Sequence, residues 1–405
     1  MEGLGLPHTR YPVVHVAGTN GKGSVVALVA QVLQQAGFRV GMFTSPHIHD
    51  YCERININGR TIDPVDLAVR LRKLEGVAEE LVRQGLGVPT EFELLTAVAF
   101  EHFAAEKVDI AVIETGMGGI YDSTNVVQPE VAAITNVDMD HMQHLGSTVE
   151  EIARNKAGIA KSGIPVVCGV MPQAVFRVIK EEAEARGASV VRAQETACLD
   201  EIKSLGLSGY SLRFYTPHLG QGDALYSLPG RFQLDNLLTA LTVLDVLKSR
   251  GWKIARREVV NALKAVRWPG RLEKVYDNPE VIVDVGHNPA AAQAVAGTLN
   301  EIYPERRRVL VVGMLDDKEG VGIFKALRDN TQVCIVSCPD SERAENWRRR
   351  ADEAKPFFPK VLEEEKIEVA VDKALKMAGP NDYVLVTGSF YTVDKARAMF
   401  TQPYR

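Results

Sequence analysis

The chain is poor in the features that mark several protein classes. Cysteine is scarce and scattered, with five residues at Cys52, Cys168, Cys198, Cys334 and Cys338. An odd set without a C-x-x-C pair supplies no disulfide framework. It reads as buried free thiols in a reducing cytoplasm. No uninterrupted apolar run approaches the roughly 18 residues that a membrane span needs. The N-terminal MEGLGLPHTRYPVV has no basic stretch followed by an apolar one, so no signal peptide is read. Positive charge is not in excess: Lys plus Arg is 47 and Asp plus Glu is 52, a net of −5. That balance argues against a protein built mainly to neutralise nucleic-acid phosphates. Internal repeats and low-complexity tracts are absent. What is present is an ordinary soluble composition, 46% hydrophobic and 24% charged, in 405 residues. That length is long for one core and typical of two domains.

Short apolar runs alternate with segments of helical period. VVHVAG (13–18) is a β-branched run closed by Gly, and from Ser24 the apolar positions Val25, Leu28, Val29, Val32, Leu33 and Ala36 recur at three-to-four spacing up to Gly37. Further strands are expected at FRVGMF (38–43), VDIAVIE (108–114), VAAITNV (131–137) and IPVVCGV (164–170). Such alternation predicts a mostly parallel sheet covered by helices, with ligands at the carboxyl ends of the strands. Trp268-Pro269-Gly270-Arg271 interrupts the pattern with a strong turn signal. A second series follows: VIVDVG (281–286), RVLVVG (308–313), QVCIVS (332–337) and YVLVTG (383–388), with helical segments at 290–302 and 367–377. The boundary is placed near residue 268, giving domains of residues 1–268 and 269–405. The Gly-, Ser- and Tyr-rich stretch 200–228 reads as a hairpin-containing insertion of the first.

The sharpest local signal is Gly18-Thr19-Asn20-Gly21-Lys22-Gly23-Ser24, between a strand and a helix. Glycines let backbone N–H groups approach phosphate oxygens, and a helix N-terminus adds about half a positive charge. Lys22 supplies a mobile full charge for the outer phosphates and Ser24 a hydroxyl for Mg²⁺. The spacing departs from G-x-x-x-x-G-K-[ST], because two residues separate Gly18 from Gly21 and Gly23 follows the lysine. Glu114 closes a strand just before Thr-Gly-Met-Gly-Gly, where a Mg²⁺ ligand is needed beside such a loop. Alone it would read as a solvated strand-end carboxylate. Asp138-Met139-Asp140-His141 and Thr44-Ser45-Pro46-His47 end two other strands at the same rim. Mg²⁺ chemistry by itself favours an aspartate over His141. Lys156, on a helical segment, would by composition be an ordinary solvated charge.

In this order the residues resemble a known family. The carrying motifs in the first half are HVAGTNGKGSV (15–25), TSPH (44–47), IETGMGGIYDSTNVV (113–127), Asp140-His141 and NKAGI (155–159). LPGRFQLDN (228–236), WPGRLE (268–273), DVGHNP (284–289) and TGSFY (387–391) complete the set. The chain is similar to folylpolyglutamate synthase, including its bifunctional dihydrofolate synthase form, in the Mur ligase superfamily. The resemblance implies an α/β protein: a P-loop-containing, Mur-ligase-like central ATPase domain with a mostly parallel sheet, plus a smaller Rossmann-like C-terminal domain. It implies an ATP-dependent ligase that activates a carboxylate of folate or dihydropteroate as an acyl phosphate for attack by L-glutamate. By the same resemblance Ser24, Ser45, Glu114, His141 and Lys156 serve Mg²⁺ at two sites, Lys156 as a carbamate formed with CO₂. Asn236 is an adenine-side contact, and Arg271, Asp284 and His287 reach ATP from the second domain, so closure around the reaction is expected. Lys22, Lys156 and His287 are the expected catalytic groups. A cytoplasmic monomer without nucleic-acid or membrane partners completes the expectation.

Three positions depart from the family pattern. Only the first seventeen residues precede Gly18, so part of the pterin or nucleotide rim is expected to be missing or rebuilt. Ile120-Tyr121 replaces the usual Arg-Leu and removes a cation near the substrate. Val285-Gly286 replaces Gly-Ala within the Asp284–Pro289 motif. Two rival readings are a Mur-type ligase acting on a non-folate carboxylate and a nucleotide-dependent switch ATPase.

Overall fold

The computed structural model of the protein describes residues 1–401. The chain divides into two compact units. The first takes in Met1–Lys203, Ser211–Ser227 and Gln233–Val266; the second takes in Ser204–Tyr210, Leu228–Phe232 and the chain from Arg267. The two short segments that join the second unit leave no mark in the sequence, because each is too short to show a period.

The first unit is built on an eight-stranded sheet. In chain order its strands are β1 (Val13–Ala17), β2 (Val40–Phe43), β3 (Ile55–Ile57), β4 (Arg60–Thr61), β5 (Ile110–Glu114), β6 (Val131–Ile134), β7 (Val166–Cys168) and β8 (Val190–Arg192). Their spatial order is β4-β3-β2-β5-β1-β6-β7-β8. From β2 to β8 every neighbouring pair is parallel, whereas β3 and β4 add an antiparallel edge. β1, β5 and β6 are buried along their whole length, which is why they read as continuous apolar runs and not as alternating ones. The antiparallel edge was not expected, since β3 and β4 are too short to carry a pattern. Asn58 and Gly59 turn the chain between them with φ of 49° and 82°. A smaller sheet, in the order β11-β10-β9, comprises β9 (Cys198–Ser204), β10 (Tyr210–Thr216) and β11 (Gly220–Tyr226). Its last two strands form the hairpin expected within 200–228.

The helix Lys22–Gln35 follows β1 and buries Val25, Leu28, Val29, Val32 and Leu33. It begins two residues earlier than the apolar period suggests, because Gly21, in the left-handed region, serves as its N-cap. Loops after β1, β2, β5 and β6 therefore emerge side by side at the carboxyl edge of adjacent parallel strands, where open α/β sheets bind ligands.

The second unit has a six-stranded sheet in the order β12-β13-β17-β14-β15-β16. These are β12 (Glu273–Asp277), β13 (Glu280–Asp284), β14 (Arg307–Val312), β15 (Thr331–Ser337), β16 (Lys360–Glu364) and β17 (Asp382–Thr387). Only β12 runs antiparallel to its neighbour. Ile282, Leu310, Val312, Val336 and Leu385 pack with Val295, Leu299, Phe324 and Trp347 as its core. Among the described residues no helix is long and apolar enough to cross a membrane.

Candidate active site

The turn between β1 and the Lys22–Gln35 helix is held closely on all sides. Gly18 has φ of 152° and Gly21 of 81°, conformations that side-chain-bearing residues rarely adopt. A Cβ on Gly18 would lie 1.9 Å from Thr135 Oγ1, and one on Gly21 would lie 2.1 Å from Asn236 Oδ1. The β6 loop pins the turn. Asn20 N–H donates to Asn136 Oδ1 (2.9 Å), Thr135 Oγ1 donates to the Asn20 carbonyl (2.6 Å), and Asp138 N–H donates to Thr19 Oγ1 (3.0 Å). A backbone so fixed, opening into a helix N-terminus, suits phosphate oxygens.

Three charged groups meet at this turn. Lys22 Nζ donates to the carbonyls of Gly18 (3.1 Å) and Thr19 (3.2 Å) and stands 4.0 Å from Glu114 Oε1. Lys156 Nζ donates to the same Gly18 carbonyl at 2.9 Å. Glu114 ends β5 with 4% exposure, and its Oε2 accepts from Ser45 N–H at 3.2 Å. It is therefore not the solvated strand-end carboxylate that its position alone would allow. Lys156 is 2% exposed, on the helix Val149–Ala157, and is not a solvated charge either. Burial, then the neighbouring Lys22 charge, pushes its pKa down to about 7; Asp140 and Asp122 pull the other way.

Ser24 is buried in the first turn of the helix, and its Oγ accepts from Gln233 Nε2 at 3.2 Å. Gln233 Oε1 in turn accepts from Asn236 Nδ2 at 2.9 Å. His141 stands on the loop after β6 with φ of 49°; its N–H donates to Asp140 Oδ1 (2.9 Å), and its Nε2 is 4.0 Å from that oxygen. Among the described residues, no three His, Cys, Asp or Glu side chains converge as a metal cage. The expected set of Ser24, Ser45, Glu114, His141 and Lys156 holds only two such residues. Glu114 alone suits Mg²⁺ nonetheless, because that ion is usually held by one or two carboxylates with the rest of its shell supplied by water and substrate phosphates. The buried Glu114 carboxylate beside a glycine cradle is such a donor set.

Residues that the sequence reading quoted only inside motifs hold this site together. Asn155 Oδ1 accepts from Gly119 N–H (3.0 Å), and Asn155 O accepts from Ile120 N–H (3.0 Å). Asp122 Oδ2 accepts from Met117 N–H (2.9 Å), while its Oδ1 accepts from Thr124 Oγ1 (2.5 Å). Because that hydroxyl hydrogen is committed to Asp122, Thr124 Oγ1 accepts from His15 Nε2 at 2.8 Å. His15 is a polar residue in the middle of a wholly buried strand, and this was the signal available in the sequence. Gln233 and Asn236 are three apart on one helix, hence on one face. Tyr121, at one of the departures from the family pattern, is 90% exposed.

In the second unit, Arg271, Asp284 and His287 gather at the carboxyl ends of β13 and β17. Asp284 is buried; its oxygens accept from Leu272 N–H (3.0 Å) and Gly286 N–H (2.7 Å). Burial raises its pKa, against the pull of Arg271 and these two donors. Arg271 lies over the Phe390 ring at 5.6 Å, and His287 packs 6.0 Å from the same ring. His287 Nδ1 donates to the Val285 carbonyl at 3.0 Å. The helix cap is Asn288, whose side chain accepts from Ala291 N–H, with Pro289 in the first turn.

Residues 16–244 match the Mur ligase middle domain, and residues 270–390 match the Mur ligase glutamate ligase domain. A dihydrofolate synthase/folylpolyglutamate synthase of Bacillus subtilis is 36% identical, over 98% of this chain and 92% of that protein. The folylpolyglutamate synthase of Mycobacterium tuberculosis, solved in complex with ADP, superposes with a TM-score of 0.93 at 32% identity, covering 100% of this chain and 94% of that one. The Escherichia coli protein FolC, solved with DHPP and ADP, gives a TM-score of 0.86 at 28% identity, over 98% and 90% of the two chains. The chain therefore belongs to the Mur ligase family, among its folylpolyglutamate synthase/dihydrofolate synthase members, and is an ATP-dependent ligase.

Proposed function

We propose that this ligase joins L-glutamate to a carboxylate of a folate, with ATP as the activating substrate. The observation that carries this reading is the convergence of Lys22 Nζ, Lys156 Nζ and the Glu114 carboxylate on the Gly18 turn. Opposed charges around a glycine cradle suit phosphoryl transfer, which needs positioning and neutralisation more than covalent help. A carboxylate oxygen of the folate attacks the γ-phosphorus, giving an acyl phosphate and ADP. The amine of L-glutamate then attacks the acyl carbon, the C–O bond to phosphate breaks, and the amine loses a proton as the amide forms.

In this scheme the segment Gly18–Ser24 cradles the phosphates, and Lys22 follows the charge on the transferring group. Asn236 contacts the adenine side, and Arg271, Asp284 and His287 are the second domain's contribution to ATP. Ser24, Ser45, Glu114, His141 and Lys156 would hold Mg²⁺, which supplies charge neutralisation at two sites. Lys156 serves as a carbamate. Only a neutral amine adds CO₂, and a pKa near 7 supplies that form at neutral pH; the product is an anion in place of a cation. The first unit is read as the ATPase domain and the second as the Rossmann-like domain of a cytoplasmic monomer. The presence of both folylpolyglutamate synthase and dihydrofolate synthase among the relatives supports testing dihydropteroate as a second acceptor.

Phosphate release from ATP, measured with L-glutamate and each of dihydropteroate, tetrahydrofolate and a muramyl peptide, tests the reading. The expected result is release that needs both glutamate and a pterin acceptor. Release with the muramyl peptide alone would replace folate with another carboxylate. Release indifferent to glutamate would make the protein a nucleotide switch.

A further inference from the structure

Gln233 belongs to none of the groups assigned above, yet it touches two of them. It is fully buried. The Tyr226 hydroxyl, itself on a fully buried side chain, donates to its backbone carbonyl at 3.1 Å. Its side-chain carbonyl accepts from Asn236 Nδ2 at 2.9 Å, which fixes the orientation of the amide. The amide nitrogen is thereby aimed at Ser24 Oγ, 3.2 Å away. Asn236 is in turn seated against the phosphate loop, its Oδ1 filling the space where a Cβ of Gly21 would lie.

A serine hydroxyl normally rotates among several directions. Here one lone pair of Ser24 Oγ is taken by the Gln233 N–H, so the hydroxyl hydrogen and the second lone pair are confined to the two remaining directions. A leucine at 233 would release both Ser24 and Asn236 at once. A glutamate of the same size would still accept from Asn236 but would present an acceptor, not a donor, to Ser24.

We infer that Gln233 is a positioning residue for the nucleotide, presetting the Ser24 hydroxyl and the Asn236 amide through one side chain. The inference rests on the assignment of Ser24 and Asn236 to ATP–Mg²⁺ made above. It adds the device by which the base side and the metal side of the nucleotide are held in register before binding.

Calorimetric binding of a non-hydrolysable ATP analogue with Mg²⁺ to the full chain tests this, using wild type, Gln233→Leu, Ser24→Ala and the double variant. Gln233→Leu is expected to weaken binding about tenfold, the worth of one well-placed buried hydrogen bond. Adding it to Ser24→Ala should cost clearly less than the roughly tenfold it costs alone, because the Ser24 contact is already lost and only the Asn236 contact remains to lose. A merely structural role would instead multiply the two losses, and that result overturns the inference. So does binding within about twofold of wild type in the folded single variant. Should circular dichroism show Gln233→Leu unfolded, the uncharged Gln233→Met, of similar length, replaces it in the same cycle with the same expected partial non-additivity. A wild type that does not bind the analogue overturns the nucleotide assignment and this inference together, whereas normal wild-type binding with an unaffected variant removes this inference alone.

Discussion

Two ammonium groups share one carbonyl oxygen in this protein, those of Lys22 and Lys156 on Gly18. Like charges this close, one of them 2% exposed, are unfavourable unless one gives up its proton. Lys156 is the one that yields, being the more buried. Carbamylation would turn the repulsion into attraction by placing an anion beside Lys22. Lys156→Ala should then lose ligase activity, and a small carboxylate in the buffer should restore part of it by occupying the vacated volume. Intact-mass measurement under native conditions should find one CO₂ on the wild type and none on the variant. An active wild type carrying an unmodified lysine would refute the carbamate. Little of this was visible in the residue alone: a helix lysine is ordinarily solvated, and only its place in a family motif raised it. Glu114 was easier to read, because a carboxylate closing an apolar run beside a glycine-rich turn already implies a special environment.

The elements around the site explain why glycine recurs there, and why some of it is dispensable elsewhere. Gly119 lies against the helix Val149–Ala157 so closely that a Cβ would stand 2.7 Å from the Lys156 carbonyl and 2.9 Å from that of Asn155. Those are backbone atoms and cannot rotate away. Gly119→Ala should therefore destabilise the chain by about 1–3 kcal/mol in urea titration. It should also lower activity by on the order of tenfold or more, because the displaced backbone belongs to Lys156 itself. Gly76, inside the helix Pro64–Arg83, has nothing within 4 Å of its would-be Cβ. Gly76→Ala should stabilise by about 0.5–1 kcal/mol with activity unchanged, since only the entropy of a helical glycine is removed. Equal effects of the two substitutions would contradict the fit described here. Sequence reading located the buried parallel strands and their rim because such strands write themselves as unbroken apolar runs, but not the parallel edge strands β8 and β16, which are only partly buried. It missed β3, β4 and β12, whose pairing depends on partners far along the chain or on turns of two residues. It also missed Asn155 and Gln233, whose roles are distances to other elements that no local pattern encodes.

Taken whole, the molecule carries a net charge of −5 yet is assigned anionic substrates, so its cations must be placed and not merely numerous. Ile120 stands where the family usually has a cation near the substrate, so in the proposed scheme the offset falls on Lys22, Arg271, the helix N-terminus and Mg²⁺. Stability has its own charge problem, centred on His15. That ring is fully buried, its Nε2 is committed to Thr124, and its Nδ1 has no hydrogen-bond partner among the described residues. Burial, reinforced by the charge of Lys161, pushes its pKa down from 6.5 to about 3. Between those two values the unfolded chain binds a proton that the folded chain refuses. The stability contributed by the neutral ring is therefore complete above about pH 6.5 and declines as the pH falls toward 3, by roughly 1.4 kcal/mol per pH unit. Other carboxylates titrate in the same range, so the comparison must be internal. His15→Gln retains a donor toward Thr124 and removes the titrating group. Urea unfolding at a series of pH values should show wild type losing roughly 2–3 kcal/mol more than His15→Gln between pH 6 and pH 4. Parallel pH profiles for the two proteins would mean that His15 is protonated, or solvated, in the folded chain, and the relay from His15 through Thr124 to Asp122 would have to be redrawn.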